Sequence, residues 1–318
     1  MRGVVARDAE TGEEFGVPAR VVVNATGVWA DEVRRLERAA VEPLLRPSQG
    51  AHIVVDRAFL PGDTALLVPQ TPDGRVLFVI PWQGRVLIGT TDLARRDAPV
   101  EPVPLPGEIE FILSATARYL VRAPALADVR SVFAGLRPLV DAAGRRDTRA
   151  LSRGHVVDVS PGGLVTVTGG KWTTYRRMAQ DAIDTAAETA GLPPRGCRTH
   201  DLRLHGTTRE AADRYGGERG DVDALPGARR LLCPGGLDLT EAQVRFAARC
   251  ELARTVEDVL ARRHRALFLD AAVAASAAPA VARLIAEETG RDDRWCEAEI
   301  GRFRALARQY AGRPDDDR

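Results

Sequence analysis

The segment Gly169-Gly-Lys-Trp-Thr-Thr-Tyr-Arg176 decides how this chain is interpreted. It follows the β-branched run Gly163-Leu-Val-Thr-Val-Thr168 and leads into a stretch with helical spacing that extends to about Ala190. A strand, a glycine turn and a helix in that order expose backbone N–H groups and the positive end of a helix dipole. The spacing is not that of a P-loop, because Val165 stands where the first glycine is required. Two interpretations stay open at this point: an ordinary helix capped by a threonine, or a site for a ligand.

Lys171 is the single lysine of the chain, since 44 of the 45 basic residues are arginine. A compositional pressure towards arginine has therefore acted on nearly every basic position. The lysine ammonium is a compact donor whose pKa shifts readily, whereas the guanidinium is a wide planar fork that stays charged. We expect Lys171 to perform a task that arginine cannot perform.

Length and composition are those of a globular protein. The chain of 318 residues is 45% hydrophobic and 28% charged, which suits about two domains. Its formal net charge of +1 gives no electrostatic reason to expect a nucleic-acid partner. We expect no metal site and a reducing compartment, because no CxxC pair and no ligand-spaced histidine accompany the four scattered cysteines, Cys197, Cys233, Cys250 and Cys296.

Apolar runs along the chain predict α/β architecture followed by helices. Arg20–Gly27 predicts a buried strand and Trp29–Ala40 a helix. An antiparallel meander with turns at Asp73-Gly74 and Gln83-Gly84 is predicted from four runs, Ala51–Asp56, Ala65–Pro69, Arg75–Pro81 and Arg85–Gly89. Further on, the pattern predicts a helix over 108–119, a strand Ser131–Leu136 that stops before Arg137-Pro138, a strand His155–Val159, and helices over Val244–Leu260 and Trp295–Tyr310.

Two stretches bear on membrane targeting, the first residues and the most apolar segment. The first residues contain no apolar signal segment. Leu269–Ala286 is mostly alanine and contains Pro279 and Arg283, so it predicts a pair of soluble helices rather than a membrane span.

The segment Gly169–Arg176 resembles the flavin-contacting GGK(L/W)TTYR segment of FAD-dependent glycerol-3-phosphate dehydrogenases. Further stretches resemble that family in the same order, namely Val23-Asn-Ala-Thr-Gly-Val-Trp29, Gly50-Ala-His-Ile-Val-Val55, Val79-Ile-Pro-Trp82 with Ile88-Gly-Thr-Thr-Asp92, and Gly135-Leu-Arg-Pro-Leu139. Glu251–Arg263 resembles the family's C-terminal helical domain. The resemblance implies an α/β fold, with an FAD-binding Rossmann-like domain and an inserted antiparallel β substrate domain, plus an all-α C-terminal domain.

The resemblance also implies domain boundaries and a departure from the family. Residues 1–194 would form the oxidoreductase domain (FAD part about 1–45 and 155–192, β-rich substrate part about 46–154), and 195–318 the helical domain. No G-x-G-x-x-G occurs in the sequence, so we expect an incomplete FAD-binding domain. The chain is expected to be truncated, to purify without flavin colour and to be inactive alone. A wrong start codon, a disrupted gene and a deliberate fragment stay open as explanations.

The resemblance implies FAD as the cofactor. Small residues allow a dinucleotide to approach the backbone, and Lys171 with the helix N-terminus after it would offset negative charge on the reduced flavin. The implied cofactor-binding residues are Asn24, Ala25, Thr26 and Gly27 after the first strand and Gly169, Gly170, Lys171, Trp172, Thr173 and Thr174 at the glycine turn.

The implied substrate, glycerol 3-phosphate, carries a dianionic phosphate and a secondary alcohol that is oxidised to dihydroxyacetone phosphate. Its implied binding residues are His52, Thr91, Arg137, Arg153 and Lys171, of which His52, Arg137 and Lys171 are the catalytic candidates. An arginine fork suits a phosphate clamp. His52 is the first choice for the group that takes the hydroxyl proton or orients the hydroxyl, because imidazole titrates near neutral pH, and Lys171 is the alternative. Surface or helix positions are predicted for the remaining histidines, His155, His200, His205 and His264.

The same resemblance implies quinone as the electron acceptor and a cytoplasmic location. Peripheral attachment to the inner face of the cytoplasmic membrane and a homodimer stay open. Two other functions also stay open. One is a related FAD-dependent amine or amino-acid oxidase, against which the Arg137 clamp and the helical C-terminal domain argue. The other is a non-catalytic remnant that only associates with a partner.

Overall fold

The computed structural model describes residues 1–69, 71, 74–141, 154–207, 214–233 and 237–312. The predicted substrate-binding residue Arg153 and the predicted turn residue Asp73 lie outside these residues. The chain forms two compact units. Unit 1 comprises Met1–Gln49, Asp92–Pro102 and Gly135–Arg203, and unit 2 comprises Gly50–Thr91, Val103–Ala134 and Leu204–Arg318. The domain boundary predicted at residues 194 and 195 stays a prediction.

Unit 1 contains a three-stranded sheet with strands β3 (Val22–Asn24), β10 (His155–Val159) and β11 (Leu164–Gly169) in the order β10-β11-β3. Strand β11 is parallel to β3 and antiparallel to β10. The helices α1 (Ala30–Glu37) and α3 (Tyr175–Thr189) contact β11. Valine and threonine dominate these strands, because β-branched side chains fit a pleated surface. The predicted strand–turn–helix order at both glycine turns is confirmed.

Unit 1 also begins with an antiparallel hairpin of β1 (Gly3–Arg7) and β2 (Glu14–Pro18). These two strands form a separate two-stranded sheet. Arg7 and Glu14 face each other in the ladder and form an ion pair of 2.5 Å at its end.

The second sheet contains the four predicted antiparallel strands, but the predicted meander order is wrong, because the first of the four strands pairs with the last and not with the second. Its strands are β4 (Leu45–Asp56), β5 (Leu66–Val68), β6 (Leu77–Trp82), β7 (Arg85–Gly89) and β8 (Leu93–Ala94) in the order β5-β6-β7-β4-β8, and β9 (Val129–Val140) also pairs with β4. Gln83 and Gly84 connect β6 to β7 with φ values of 47° and 77°, which a two-residue hairpin turn requires. Ala51, Ile53 and Val55 alternate into a core shared with helix α2 (Pro106–Thr116).

Strand β9 is longer than predicted. The sequence pattern predicted an end at Leu136, before Arg137-Pro138, but the strand continues to Val140. Proline lacks only the backbone donor, and its φ is compatible with an extended chain, so a strand can pass through a position that donates no ladder bond. Arg137 therefore lies inside a strand and not at its end.

The remainder of unit 2 is helical, as predicted. Its helices are α4 (Arg219–Asp223), α5 (Glu241–Cys250), α6 (Ala266–Leu269), α7 (Ala271–Thr289) and α8 (Asp293–Tyr310). Their apolar faces form one core that includes Val244, Leu260, Ile285 and Phe303. Within the described residues, no helix is long and apolar enough to cross a membrane.

Two helix predictions in this region are wrong. The predicted helix Val244–Leu260 ends at Cys250, because Leu252 adopts a left-handed backbone with φ of 56°, and a π-helical turn follows at Asp258–Arg263. The predicted helix pair over Leu269–Ala286 is largely one helix, α7, which continues through Pro279. Close packing of α7 against α8 outweighs the lost hydrogen bond, since Ala277 and Ala278 directly before the proline are buried.

Candidate active site

The glycine turn that follows β11 requires glycine at two consecutive positions. Gly169 and Gly170 have φ values of 74° and 75°, a left-handed conformation that disfavours other residues. Space is also lacking: a Cβ on Gly169 would lie 2.8 Å from the carbonyl oxygen of Gly154, and a Cβ on Gly170 would lie 2.5 Å from Sδ of Met178. The chain therefore turns tightly from β11 towards α3.

The amino end of α3 carries no capping side chain. A 3₁₀ turn, Trp172–Thr174, precedes the helix, and Thr174 occupies the N-cap position. Its hydroxyl donates instead to the carbonyl oxygen of Lys171 at 3.0 Å. A threonine therefore stands at the N-cap position, as one of the two open interpretations had it, but its side chain makes no capping bond. The positive end of the helix dipole lies at this turn.

Lys171 and two aromatic rings surround this open helix end. The Lys171 side chain is exposed and forms no hydrogen bond or ion pair with the part of the chain that the structure describes. Trp172 is 83% exposed and stacks on Tyr175 with 5.1 Å between ring centroids. A cation, a helix N-terminus and an exposed aromatic surface thus occur within five residues, Lys171 to Tyr175.

Asn24 shapes the turn after β3. Its side-chain amide donates to the carbonyl oxygen of Ala30 at 2.9 Å, and its Oδ1 accepts from the Thr26 hydroxyl at 2.8 Å. The Asn24 side chain is buried and used within the protein, while Ala25 and Thr26 are exposed. Parallel pairing of β3 and β11 places this turn and the glycine turn at the same edge of the sheet. Ligands of open α/β sheets bind at that edge.

Arg137, the predicted phosphate clamp, lies beside a carboxylate in unit 1. Its guanidinium Nη1 is 3.7 Å from Oδ1 of Asp92, which also accepts a short hydrogen bond from Ser48. The side chain of Arg137 is 36% exposed. Asp92 therefore holds the guanidinium in a defined place while leaving part of it accessible to an anion.

His52 lies on β4 in unit 2, on the strand face opposite to the buried Ala51 and Ile53, as the alternation predicted. Its ring packs between the backbone of Gly89 on β7 and the ring of Phe133 on β9. The imidazole is thus half-buried and held in one plane.

Thr91, also in unit 2, uses its hydroxyl in a structural bridge. The hydroxyl donates to Oε1 of Glu108 at 2.5 Å and accepts from the N–H of Ala51 at 2.8 Å. Glu108 in turn accepts from the N–H of Leu105 at the start of α2. A substrate contact for Thr91 stays a prediction.

Two histidines predicted as surface or helix residues occupy other positions. His155 is the first residue of β10, pairs with Gly169 in the ladder, and bonds Asp181 on α3. His264 is 3% exposed, and this burial, with the charge of Arg214 nearby, lowers its pKa to about 4. Sequence spacing carries no signal for either residue, because their partners are distant along the chain.

A comparison with protein families identifies the unit that carries the glycine turns. Residues 2–176, more than half of the chain, match the family model described as FAD dependent oxidoreductase. The chain belongs to the FAD-dependent oxidoreductase family. Residues 166–296 match the model of the C-terminal domain of alpha-glycerophosphate oxidase. These matches confirm the predicted fold class, an FAD-binding domain with a helical C-terminal domain.

Relatives of this family member include glycerol-3-phosphate dehydrogenases. The chain is 36% identical over 326 residues to the human mitochondrial enzyme and 35% identical over 333 residues to the bovine one. These alignments cover 92% and 94% of the chain but 44% and 45% of the relatives, so the chain spans about half of their length. The resemblance to this group that the motifs indicated is confirmed.

A solved structure agrees with this assignment. The glycerol-3-phosphate dehydrogenase from Bacillus halodurans, complexed with FAD, superposes with a TM-score of 0.80 at 25% sequence identity. The match covers 98% of the chain and 66% of the other protein.

The glycine turn fits the cofactor of this family. The two glycines keep the backbone free of side chains, and the positive end of the α3 dipole follows them. Lys171 would hold a positive charge beside a bound flavin, and Trp172 would offer it an exposed aromatic surface.

Proposed function

We propose that this oxidoreductase oxidises glycerol 3-phosphate to dihydroxyacetone phosphate, with FAD as the hydride acceptor. The observation that carries the proposal is the environment of Lys171. This cation is exposed, pairs with no described residue, and lies between the glycine turn and the N-terminus of α3, which no side chain caps. The names of the matched relatives and of the second family model support the choice of substrate.

Arg137 is the proposed binding group for the substrate phosphate. A dianionic phosphate is a stronger partner than the Asp92 carboxylate at 3.7 Å, so the guanidinium can exchange one anion for the other. Arg153 is the proposed second arginine of the clamp, and Thr91 is a further proposed substrate-binding residue.

His52 is the proposed acceptor for the proton of the substrate hydroxyl, or the group that orients that hydroxyl. Its plane is held by Gly89 and Phe133, so one ring nitrogen can keep a constant direction. Lys171 is the alternative acceptor. FAD, when bound, supplies the two-electron acceptor for the alcohol carbon, and Lys171 supplies positive charge for it.

Cofactor contacts are proposed for both turns at the sheet edge, Asn24 to Gly27 and Gly169 to Thr174. Residues 1–194 are proposed as the oxidoreductase domain and 195–318 as the helical domain. We further propose quinone as the final acceptor, as the family resemblance implies. A lipid-soluble acceptor is consistent with the peripheral membrane attachment that the motifs left open.

The experiment compares Lys171→Arg with the unaltered protein, both saturated with FAD, in turnover of glycerol 3-phosphate with an artificial electron acceptor. Losing a well-placed donor in an active site reduces turnover by about 100-fold, and we expect a loss of that order. Arg195→Lys, which makes the reverse exchange at an exposed arginine after α3, is the charge-matched control and should retain turnover.

Three outcomes contradict the proposal. Wild-type turnover by Lys171→Arg removes the assigned role of the lysine. Turnover of amines or amino acids without turnover of glycerol 3-phosphate, over a substrate panel, favours the alternative oxidase. Protein that turns over none of these substrates, even with FAD and a supplied N-terminal segment, is instead a non-catalytic family member.

A further inference from the structure

The imidazole of His52 lies in a slot formed by its two neighbouring strands. In the ladder between β4 and β7, His52 faces Gly89, and a Cβ on Gly89 would lie 2.2 Å from Cδ2 of the imidazole. On the other side, the ring of Phe133 on β9 stacks on the imidazole, with 5.2 Å between centroids and 15° between planes. The imidazole is therefore in contact with the backbone of one neighbouring strand and with an aromatic ring on the other.

Phe133 is itself held by rings of the C-terminal helices. Phe268 on α6 meets Phe133 edge to face, with 5.0 Å between centroids and 88° between planes. Tyr310 on α8 meets Phe268 in the same way, at 5.5 Å and 81°. The edge-to-face arrangement is the favourable one for aromatic quadrupoles. Four rings thus form a continuous series from β4 to α8.

Polar contacts fix α6 against the strands that flank His52. The Ser131 hydroxyl on β9 donates to the carbonyl oxygen of Leu267 at 2.9 Å, and both are buried. Asp270, directly after α6, lies 3.5 Å from Arg85 on β7, and both side chains are almost fully buried. Such contacts are costly to break in a low-dielectric interior. These contacts anchor the backbone on both sides of Phe268 to the sheet.

We propose that Phe268 is a positioning residue for His52. It acts through Phe133, which it keeps flat against the imidazole, and it requires no contact with substrate. The helices after residue 204 would thus take part in the geometry of the active site. The inference rests on the proposed function only where turnover is measured, because the position of the His52 ring can be observed without it.

The test compares Phe268→Leu with the unaltered protein by ¹⁵N-detected NMR of the five histidine imidazoles, with His52→Gln assigning the His52 signal. We expect the His52 signals to move and to broaden. Loss of an aromatic pair raises the population of displaced rings by up to about tenfold. The rate at which diethyl pyrocarbonate modifies His52 should rise by a similar factor. Phe268→Tyr keeps the ring and should restore both readouts.

The matched control is Phe246→Leu. Phe246 also makes an edge-to-face pair in the helical region, with Tyr215 at 5.6 Å and 86°, and it is buried in a separate small cluster. Its loss should lower stability and leave the His52 signals unchanged. Equal changes in Phe246→Leu and Phe268→Leu mean general loosening and overturn the proposal, as do unchanged His52 signals in Phe268→Leu.

Turnover separates this inference from the proposed function. In Phe268→Leu we expect kcat for glycerol 3-phosphate to fall with KM little changed, since phosphate binding is assigned to Arg137. If His52→Gln keeps full turnover while Phe268→Leu still moves the His52 signals, the positioning contact stands and the assigned role of His52 fails.

Discussion

The Nε2 atom of His155 lies 2.9 Å from Oδ2 of Asp181, and this bond ties the first residue of β10 to α3. Asp181 also pairs with Arg177 at 3.0 Å, one turn earlier on the helix. The Cβ of His155 lies directly under Gly170, since a Cβ on that glycine would be 3.1 Å away. The histidine therefore packs against the glycine turn, and the carboxylate holds the histidine in place.

Removing the histidine should loosen this turn. We expect His155→Ala to cost about 1 kcal/mol of unfolding free energy and to weaken FAD binding, because the turn and α3 lose a common anchor. Urea unfolding and quenching of flavin fluorescence measure the two effects. His205→Ala breaks a similar 2.9 Å contact with Glu218 on an exposed surface and should change neither. Wild-type FAD affinity in His155→Ala would show that the bond does not support the turn.

Neighbouring atoms lie so close to Gly169 that its substitution should lower the free energy of unfolding by more than the left-handed backbone alone would. Gly12 has φ of 76° with no atom within 4 Å of a built Cβ, so Gly12→Ala should cost about 1 kcal/mol. In Gly169→Ala the added Cβ also meets the Gly154 carbonyl oxygen at 2.8 Å, which adds an overpacking cost of about 1 to 3 kcal/mol. Urea unfolding of both variants measures the difference. Equal costs contradict the packing that the structure shows.

Substitution of Arg137 should weaken binding of the substrate phosphate and change little else. Losing a charge-assisted contact to a phosphate corresponds to about 100-fold, so Arg137→Gln should raise KM for glycerol 3-phosphate by that order. Arg46→Gln is the control, because Arg46 forms a comparable ion pair with Asp141 at 2.6 Å in the same unit. A kinetic series at saturating FAD tests this. An equal rise of KM in both variants would mean that the substitutions disturb folding and that Arg137 does not bind the phosphate.

Burial of His264 predicts acid sensitivity. Its pKa is lowered from 6.5 to about 4, first by burial and then by the charge of Arg214, so below pH 6.5 the unfolded chain takes up the proton more readily than the folded one. The contribution of His264 to the free energy of unfolding is fully present above pH 6.5 and is lost as the pH falls towards 4. At pH 5 the loss amounts to about 2 kcal/mol.

Unfolding by urea at pH 7.5 and pH 5 measures this loss, and His264→Leu should reduce the difference between the two pH values by about that amount. His200→Leu, which alters an exposed histidine, should leave the difference unchanged. An identical pH dependence in His264→Leu and the unaltered protein contradicts the assignment.

Local patterns were sufficient to predict much of this fold. Alternation and left-handed turns are local properties, so a few residues suffice to predict them. This holds for the β-branched runs at β3, β4 and β11 and for the glycine pair before α3. The same segments predicted the family, and the alternation at β4 predicted that His52 faces away from Ala51 and Ile53. The presence of a single lysine among 45 basic residues singled out Lys171.

Other features depend on partners that are distant in sequence, and only the tertiary structure decided them. Helix α5 ends at Cys250 and α7 passes through Pro279 because packing in the helical core overrides the local pattern. The hydroxyl of Thr91 is committed to Glu108, His155 reaches Asp181, and Phe268 reaches His52 through Phe133. The sequence by itself determined the family and the residues with reactive groups. The tertiary structure decided which neighbours hold those groups, since such contacts follow from packing and leave no periodic signal along the chain.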